Sequence, residues 1–225
     1  MKLSIIIPTL NEAARIQHTL QSLQTLRGTY AEIILVDGGS NDNTLMLAQS
    51  LCDYTISSAR GRAQQMNAGA AIATGDVLLF LHADTQLPTN ALAILQQHEQ
   101  SLSWGRFDIR LSGQHFLFRI IERMINSRSR LTGIATGDQA IFVTRELFFR
   151  SGAYPALPLM EDIALSRTLR QHNKPLCLRD TVISDSRYWE THGIIRTVCR
   201  MWYLRLAYFC GVSSEKLVRQ YYRNT

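Results

Sequence analysis

Over the first 110 residues the apolar positions alternate between strand-like runs and helix-like spacing. Ser4–Ile7 reads as a short strand of the buried type. Thr9-Leu10-Asn11-Glu12 follows with the spacing of a helix capping box, and Ile16, Leu20 and Leu23 then recur at helical intervals. Glu32–Val36 predicts a second buried strand, which runs into Asp37-Gly38-Gly39-Ser40. Helical patterns over Thr44–Leu51 and Arg60–Ala73 bracket a short strand near Tyr54–Ile56. Asp76–Leu81 is a further apolar strand, and Pro88 suits the first turn of the helix after it. Strands separated by helical crossovers predict an α/β fold with a mostly parallel sheet covered by helices on both faces.

After Trp104 the rhythm changes. Trp104–Leu111 predicts a strand, residues 115–130 a basic helix, Gln139–Val143 another strand and Glu161–His172 a helix. Ala-Thr-Gly-Asp occurs at 73–76 and at 135–138, each time before an apolar run, which reads as two turn-into-strand junctions. No linker interrupts the chain, so residues 1–225 are expected to form one domain. Residues 1–110 would be one half of the sheet, 111–185 its completion and one wall of a cleft, and 186–225 a helical tail.

Composition narrows this picture. With 46 % apolar and 19 % charged residues the chain is globular rather than disordered. Its cysteines (52, 177, 199 and 210) form no CxxC pair, so neither a zinc ribbon nor a redox motif is indicated, and reduced thiols are expected. The three-residue Ile run before Pro8 is too short for a signal-peptide core. Ile194–Val212 is apolar but carries Arg196, Arg200 and Arg205. Each would cost about 2.5–3.5 kcal/mol at the centre of a spanning helix. A cytoplasmic protein is expected, at most peripheral on the inner face of a membrane.

The charge is +6 overall, and residues 186–225 alone hold seven Lys/Arg against two acids, a net +5 among many aromatic side chains. That mixture suits an anionic membrane surface or nucleic acid, and equally a packed amphipathic helix with solvated arginines. On an ideal helix Arg196 and Arg200 share a face while Arg205 lies nearly opposite Arg196.

Ligands of open parallel sheets bind at the carboxyl ends of the strands. Four polar clusters follow predicted strands: Pro8-Thr9-Leu10-Asn11-Glu12, Asp37-Gly38-Gly39-Ser40, Arg60-Gly61-Arg62 and His82-Ala83-Asp84. Helix-start N–H groups with arginines suit a diphosphate. Asp37 can accept hydrogen bonds from a base or a ribose, or simply cap an Asp-Gly turn. Asp84 could hold a divalent ion bridging a diphosphate, or cap a turn, with His82 as an added ligand or a plain neighbour. Glu161-Asp162 opens a helix, either as dipole partners or as a general base tuned by its neighbour. Thr136-Gly137-Asp138-Gln139 is a polar loop that could contact a transferred group. No dinucleotide or Walker glycine fingerprint is present.

In this order, Ile5-Ile6-Ile7-Pro8-Thr9-Leu10-Asn11-Glu12, Val36-Asp37-Gly38-Gly39-Ser40 with Asp42 and Thr44, Leu79-Phe80-Leu81-His82-Ala83-Asp84-Thr85 and Glu161-Asp162 resemble a family 2 glycosyltransferase of GT-A, Rossmann-like fold. Arg60-Gly61-Arg62 with Asn67 and Gly69, and Thr74-Gly75-Asp76, fit the same pattern, and the likeness covers about residues 3–170. Gly137-Asp138-Gln139 and Arg187-Tyr188-Trp189-Glu190 resemble a subgroup of small bacterial transferases.

The resemblance implies inverting transfer of one sugar from a nucleotide-diphosphate sugar to an acceptor hydroxyl. By that pattern Pro8, Thr9, Glu12, Asp37 and Arg62 hold the nucleotide, and Gly137, Asp138 and Gln139 contact substrate. Asp84, with His82, takes a divalent cation, Mn²⁺ or Mg²⁺, and Asp162, supported by Glu161, deprotonates the acceptor. The family's acidic-x-Asp metal motif is His82-Ala83-Asp84 here, so one carboxylate is missing. The Gln-x-x-Arg-Trp motif of processive synthases is absent, which favours single transfer to a small or lipid-linked acceptor, without nucleic acid as a partner. Two other readings are another nucleotide-using α/β enzyme, and a degenerate sheet whose basic tail binds membrane or nucleic acid.

Overall fold

The computed structural model describes residues 1–28 and 30–223. Asn224 and Thr225, the end of the expected tail, and the side chains of Tyr222 and Arg223 lie outside the described residues.

The first part runs β1 (Leu3–Thr9), α1 (Ile16–Leu23), β2 (Ala31–Asp37), α2 (Thr44–Ala48), β3 (Tyr54–Ser57), α3 (Arg62–Ile72), β4 (Val77–Phe80), β5 (Thr85–Gln86) and α4 (Ala91–Gln97). The second runs β6 (Trp104–Leu111), α5 (Phe116–Thr132), a 3₁₀ turn (Gly137–Gln139), β7 (Phe142–Thr144), α6 (Arg145–Arg150), α7 (Glu161–His172) and β8 (Leu176–Ser184). Three helices close the chain: α8 (Arg187–His192), α9 (Ile194–Phe209) and α10 (Ser214–Arg223).

All strands join one sheet in the order β3-β2-β1-β4-β7-β6-β8-β5. β1 to β4 are mutually parallel, β7 is antiparallel to both neighbours, and β6 and β8 are parallel to each other. The carboxyl ends of β1, β2, β4, β6 and β8 therefore lie along one edge, together with the start of β7. That edge is where the polar clusters converge.

The apolar runs are continuous because both faces are covered. Successive side chains alternate sides. Leu3, Ile5 and Ile7 pack with Ile16, Leu20 and Leu23 of α1, while Ile6, Ile34 and Val36 pack with Ala63, Met66 and Ala70 of α3. On that second face Trp104, Leu147, Phe148, Leu165 and Leu169 continue the core under α6 and α7. A Cβ at Gly69 would lie 2.5 Å from Ile6 Cγ2, so the glycine lets α3 sit directly on β1.

Several expectations shift. The Thr9–Glu12 capping box does not form: Thr9 ends β1, its hydroxyl donates to the Val36 carbonyl, and α1 begins only at Ile16. Instead Asn11 adopts a positive φ of 56°, and the loop is stitched to the one after β2. Asn11 N–H donates to Ser40 Oγ at 2.8 Å, and Glu12 N–H donates to Thr44 Oγ1 at 2.8 Å. A capping box does occur at Thr136 and Gln139, so the strand expected over Gln139–Val143 begins only at Phe142. The helix expected over Thr44–Leu51 stops at Ala48.

Candidate functional site

The site begins where β1 and β2 end. Gln65 of α3, 3 % exposed, donates its amide to the carbonyls of both Thr9 (2.7 Å) and Val36 (2.8 Å), tying the two strand ends together. Pro8 and Thr9 are buried in this frame and direct the backbone. Asp37 accepts from Gly39 N–H at 2.9 Å, from Ser40 N–H at 2.8 Å and from the Ser40 hydroxyl. The turn-capping role thus uses three of a carboxylate's roughly four acceptor positions.

Arg62, the first residue of α3, stands between the two halves of the site. Its positive charge acts on Glu12 and His82 on one side and on Glu161 and Asp162 on the other. Glu12 is pushed above the ordinary carboxylate range by burial and by the neighbouring Asp84. Arg15 offsets part of this, donating to Glu12 at 3.2 Å and to Asp185 at 3.1 Å. Asp185 follows β8, its N–H donates to the Asp84 carbonyl at 3.2 Å, and it holds Arg187 at 2.8 Å. Arg187 is itself within electrostatic reach of Asp84 and Glu12.

The opposite wall is the 3₁₀ turn and the start of α7. Asp162 Oδ2 accepts from Gly137 N–H at 2.9 Å and Oδ1 from Ile163 N–H at 2.7 Å. Burial nevertheless pushes Asp162 upward, and burial followed by the Asp162 charge pushes Glu161 up to about 7. Tyr154 beneath them is raised well above its ordinary value by burial and by these two acids. His82 is driven downward by burial and then by Arg62, which keeps the ring neutral. A Cβ on Gly137 would fall 2.5 Å from His82 Nε2, so the glycine is what lets the imidazole edge close on the turn. Asp138 and Arg128 of α5 face each other electrostatically, yet Asp138 Oδ1 and Arg128 Nε and Nη2 are buried without a hydrogen-bond partner. Gln139 is fully buried and its amide is used within the fold, on Thr136 and Asn126. These bonds shape the turn.

No group of three or more His, Cys, Asp or Glu that could hold a metal occurs among the described residues. The donor set at Asp84 is a single half-buried carboxylate with hard oxygen chemistry, next to Glu12. That fits an ion held by one or two carboxylates, substrate phosphates and water, rather than a closed protein cage. His82 Nε2 is turned to Gly137, so any ligation by the ring would fall to Nδ1.

Residues 4–149 match the family described as Glycosyl transferase family 2. The chain belongs to that family. It is 35 % identical over 167 residues to a PGL/p-HBAD biosynthesis glycosyltransferase of Mycobacterium bovis, covering 67 % of this chain and 62 % of the relative. It is 32 % identical over 151 residues to an undecaprenyl-phosphate 4-deoxy-4-formamido-L-arabinose transferase of Yersinia pestis, covering 61 % and 46 %. Among solved structures, S. aureus TarS 1–349 aligns with a TM-score of 0.66 at 20 % identity, over 87 % of this chain and 64 % of that one. Glucosyl-3-phosphoglycerate synthase of Mycobacterium tuberculosis, in complex with Mn²⁺, UDP and glucosyl-3-phosphoglycerate, gives 0.60 at 17 %, over 80 % and 70 %. These structures share the fold, and the chain spans about 62 % of the mycobacterial relative's length.

The residues that the sequence singled out lie along one edge of the sheet: Thr9, Glu12, Asp37, Arg62, His82, Asp84, Asp138, Glu161 and Asp162. Sequence reasoning missed four of their neighbours: Arg15, Gln65, Arg128 and Asp185. Arg187 stood out only as a mark of the subgroup. Strand-end position was a usable signal for Asp185, but β8 itself was not foreseen.

Proposed function

We propose that this family 2 member is an inverting glycosyltransferase that moves one sugar from a nucleotide-diphosphate sugar to an acceptor hydroxyl. The observation that carries the reading is the acidic pair at the start of α7. Asp162 is anchored through both oxygens to backbone N–H groups and faces the strand-end edge across Arg62. An anchored carboxylate of raised proton affinity suits a general base.

The nucleotide lies along the ends of β1 and β2, against Thr9, the Asp37 turn and Glu12, and the diphosphate faces Arg62 and Arg187. The acceptor oxygen attacks the anomeric carbon from the face opposite the diphosphate. The carbon–oxygen bond to the diphosphate breaks with its electron pair leaving on phosphate, and Asp162 takes the acceptor proton. Inversion follows from this single displacement. Glu161 positions and tunes Asp162. The transferred sugar's hydroxyls, each donor and acceptor, suit the orphan Asp138 Oδ1 and Arg128 N–H groups.

A divalent cation at Asp84, Mn²⁺ or Mg²⁺, would supply charge neutralisation on the departing diphosphate. The mycobacterial synthase above was solved with Mn²⁺ or Mg²⁺ and UDP, and TarS with UDP-GlcNAc, which supports a UDP-sugar donor here. The acceptor is a small or lipid-linked hydroxyl compound rather than nucleic acid. No helix among the described residues is long and apolar enough to cross a membrane. The basic, aromatic residues 186–225 support peripheral contact with a membrane surface.

Thermal-shift titration with UDP, GDP and TDP and their sugars, each with Mn²⁺, Mg²⁺ or EDTA, tests this. One nucleotide class should stabilise the fold only with metal, by about 2.7 kcal/mol at a hundredfold excess over Kd. Asp84→Ala should abolish that metal dependence. Asp162→Asn should keep the shift and lower kcat roughly 10²–10⁴-fold. No shift with any nucleotide would overturn the reading.

A further inference from the structure

Two helices expose apolar stripes that the transferase chemistry does not use. On α5, Phe116, Ile120, Met124 and Leu131 recur four, four and seven residues apart and so share one side of the helix. On α9, Ile195, Trp202, Leu206 and Phe209 do the same at spacings of seven, four and three. All eight are between 41 % and 86 % exposed. The helices adjoin: Ile194 and Val198 of α9 pack against the cluster formed by Phe118 and Ile121 of α5 with β6.

Charge identifies what would cover this face. α5 and α9 together carry seven arginines and one acid, Glu122, which is 7 % exposed and accepts from Leu111 N–H. Arg119 is paired with Glu122, Arg130 with Asp108, and Arg128 is buried beside Asp138, so the positive charge at the exposed stripes comes chiefly from Arg123, Arg196 and Arg205. On α9, Arg196 and Arg205 fall on opposite flanks of the stripe and bracket it. On α5, Arg123 and Arg130, the latter paired with Asp108, run along one flank. Apolar and aromatic centres with arginine flanks are the pattern of a helix lying in a lipid interface. A second copy of this chain would bring like charge against like charge. Nucleic acid would meet arginines only at the margins of an apolar centre.

We infer that the α5–α9 face docks this protein on an anionic bilayer. The inference stands on these exposures and charges. It rests on the transferase reading only in what it adds: α5 also carries Arg128 beside Asp138 and Asp162, so a docked molecule would bring its acceptor site to the lipid surface.

Co-sedimentation with phosphatidylcholine vesicles, with and without phosphatidylglycerol, tests it on the full chain, with Trp202 emission as a second readout. The protein should bind only the anionic vesicles, more weakly at high salt, with a blue-shifted emission that Trp202→Phe removes. Met124→Glu/Leu131→Glu and Ile195→Glu/Leu206→Glu should each lower vesicle partitioning about tenfold or more. Their melting temperatures and nucleotide-induced thermal shifts without vesicles should stay unchanged, so loss of docking is separable from loss of fold or of the donor site. No binding to anionic vesicles, binding indifferent to both double substitutions, or a concentration-dependent dimer that either substitution dissolves would overturn the inference. So would binding to nucleic acid in place of vesicles.

Discussion

Glu161 and Asp162 are adjacent carboxylates in a nearly dry setting: burial raises both, and the Asp162 charge makes Glu161 harder still to ionise. Glu161 ordinarily titrates at 4.5 and is raised here to about 7. Between those pH values the folded chain keeps a proton that the unfolded chain has released, so stability falls as pH rises through that window. The urea midpoint should therefore drop from pH 5 to pH 8, and Glu161→Gln should flatten the drop. If Asp162 is the base of the proposed transfer it must be ionised to accept a proton, and because burial raises its proton affinity, turnover should rise with pH as it ionises. A wild-type midpoint independent of pH would refute the raised proton affinity. Arg128 and Asp138 present a second test at this scale. If their orphan atoms meet the sugar, Arg128→Ala and Asp138→Asn should raise KM for the nucleotide sugar while leaving the affinity for the free nucleotide diphosphate unchanged. Equal weakening of both ligands would place the pair at the nucleotide instead.

The next scale shows why some elements were legible and others not. β1, β2, β4 and the pattern of α1 could be read because burial on both faces writes itself locally as unbroken apolar runs and helical spacing. β8 was not foreseen, since Leu176–Ser184 carries Arg179 and Asp180 in its middle and owes its place to non-local pairing with β6. β5 is two residues long and exists only because β8 is there. Likewise Asp84 and Asp162 could be picked out by following strands and helix starts, whereas Gln65 and Arg128 are ordinary helix residues until the sheet brings them to the edge. α3 offers a test at this scale. It begins with Arg62, carries Gln65 and rests on β1 through Gly69, where a methyl group would meet Ile6 Cγ2 at 2.5 Å and Val36 Cγ2 at 3.0 Å. Gly69→Ala should push the helix outward, costing about 1–3 kcal/mol in urea denaturation. The displacement should also move Arg62 and weaken donor binding in thermal-shift titration. A stable variant with unchanged donor affinity would mean that α3 adjusts along its axis without disturbing the site.

Across the whole molecule, the site is shared between the two parts of the chain, so its integrity depends on their acting as one body. Three features join them. β4 hydrogen-bonds to β7, which places the second part inside the same sheet. The core on one face runs from Leu3, Ile5 and Ile7 to Ala140, Phe142, Leu178 and Val182 without a break. At the edge Arg15, close to the start of α1, holds Glu12 and Asp185, which follows β8. The last contact is partly solvated and would contribute only about 0.2–1 kcal/mol, so the sheet and core, not the ion pair, carry the coupling. Unfolding should accordingly be a single cooperative transition. Trp104, on β6, is fully buried and its indole N–H donates to the Asn173 carbonyl at 2.7 Å, while Trp189 and Trp202 follow β8, so tryptophan emission reports on the second part. Far-ultraviolet circular dichroism reports on all helices and strands. In urea the two signals should change together with one midpoint. Two separated midpoints, with the tryptophan signal moving alone, would show that residues 1–97 fold independently and that the second part is added to a finished first part.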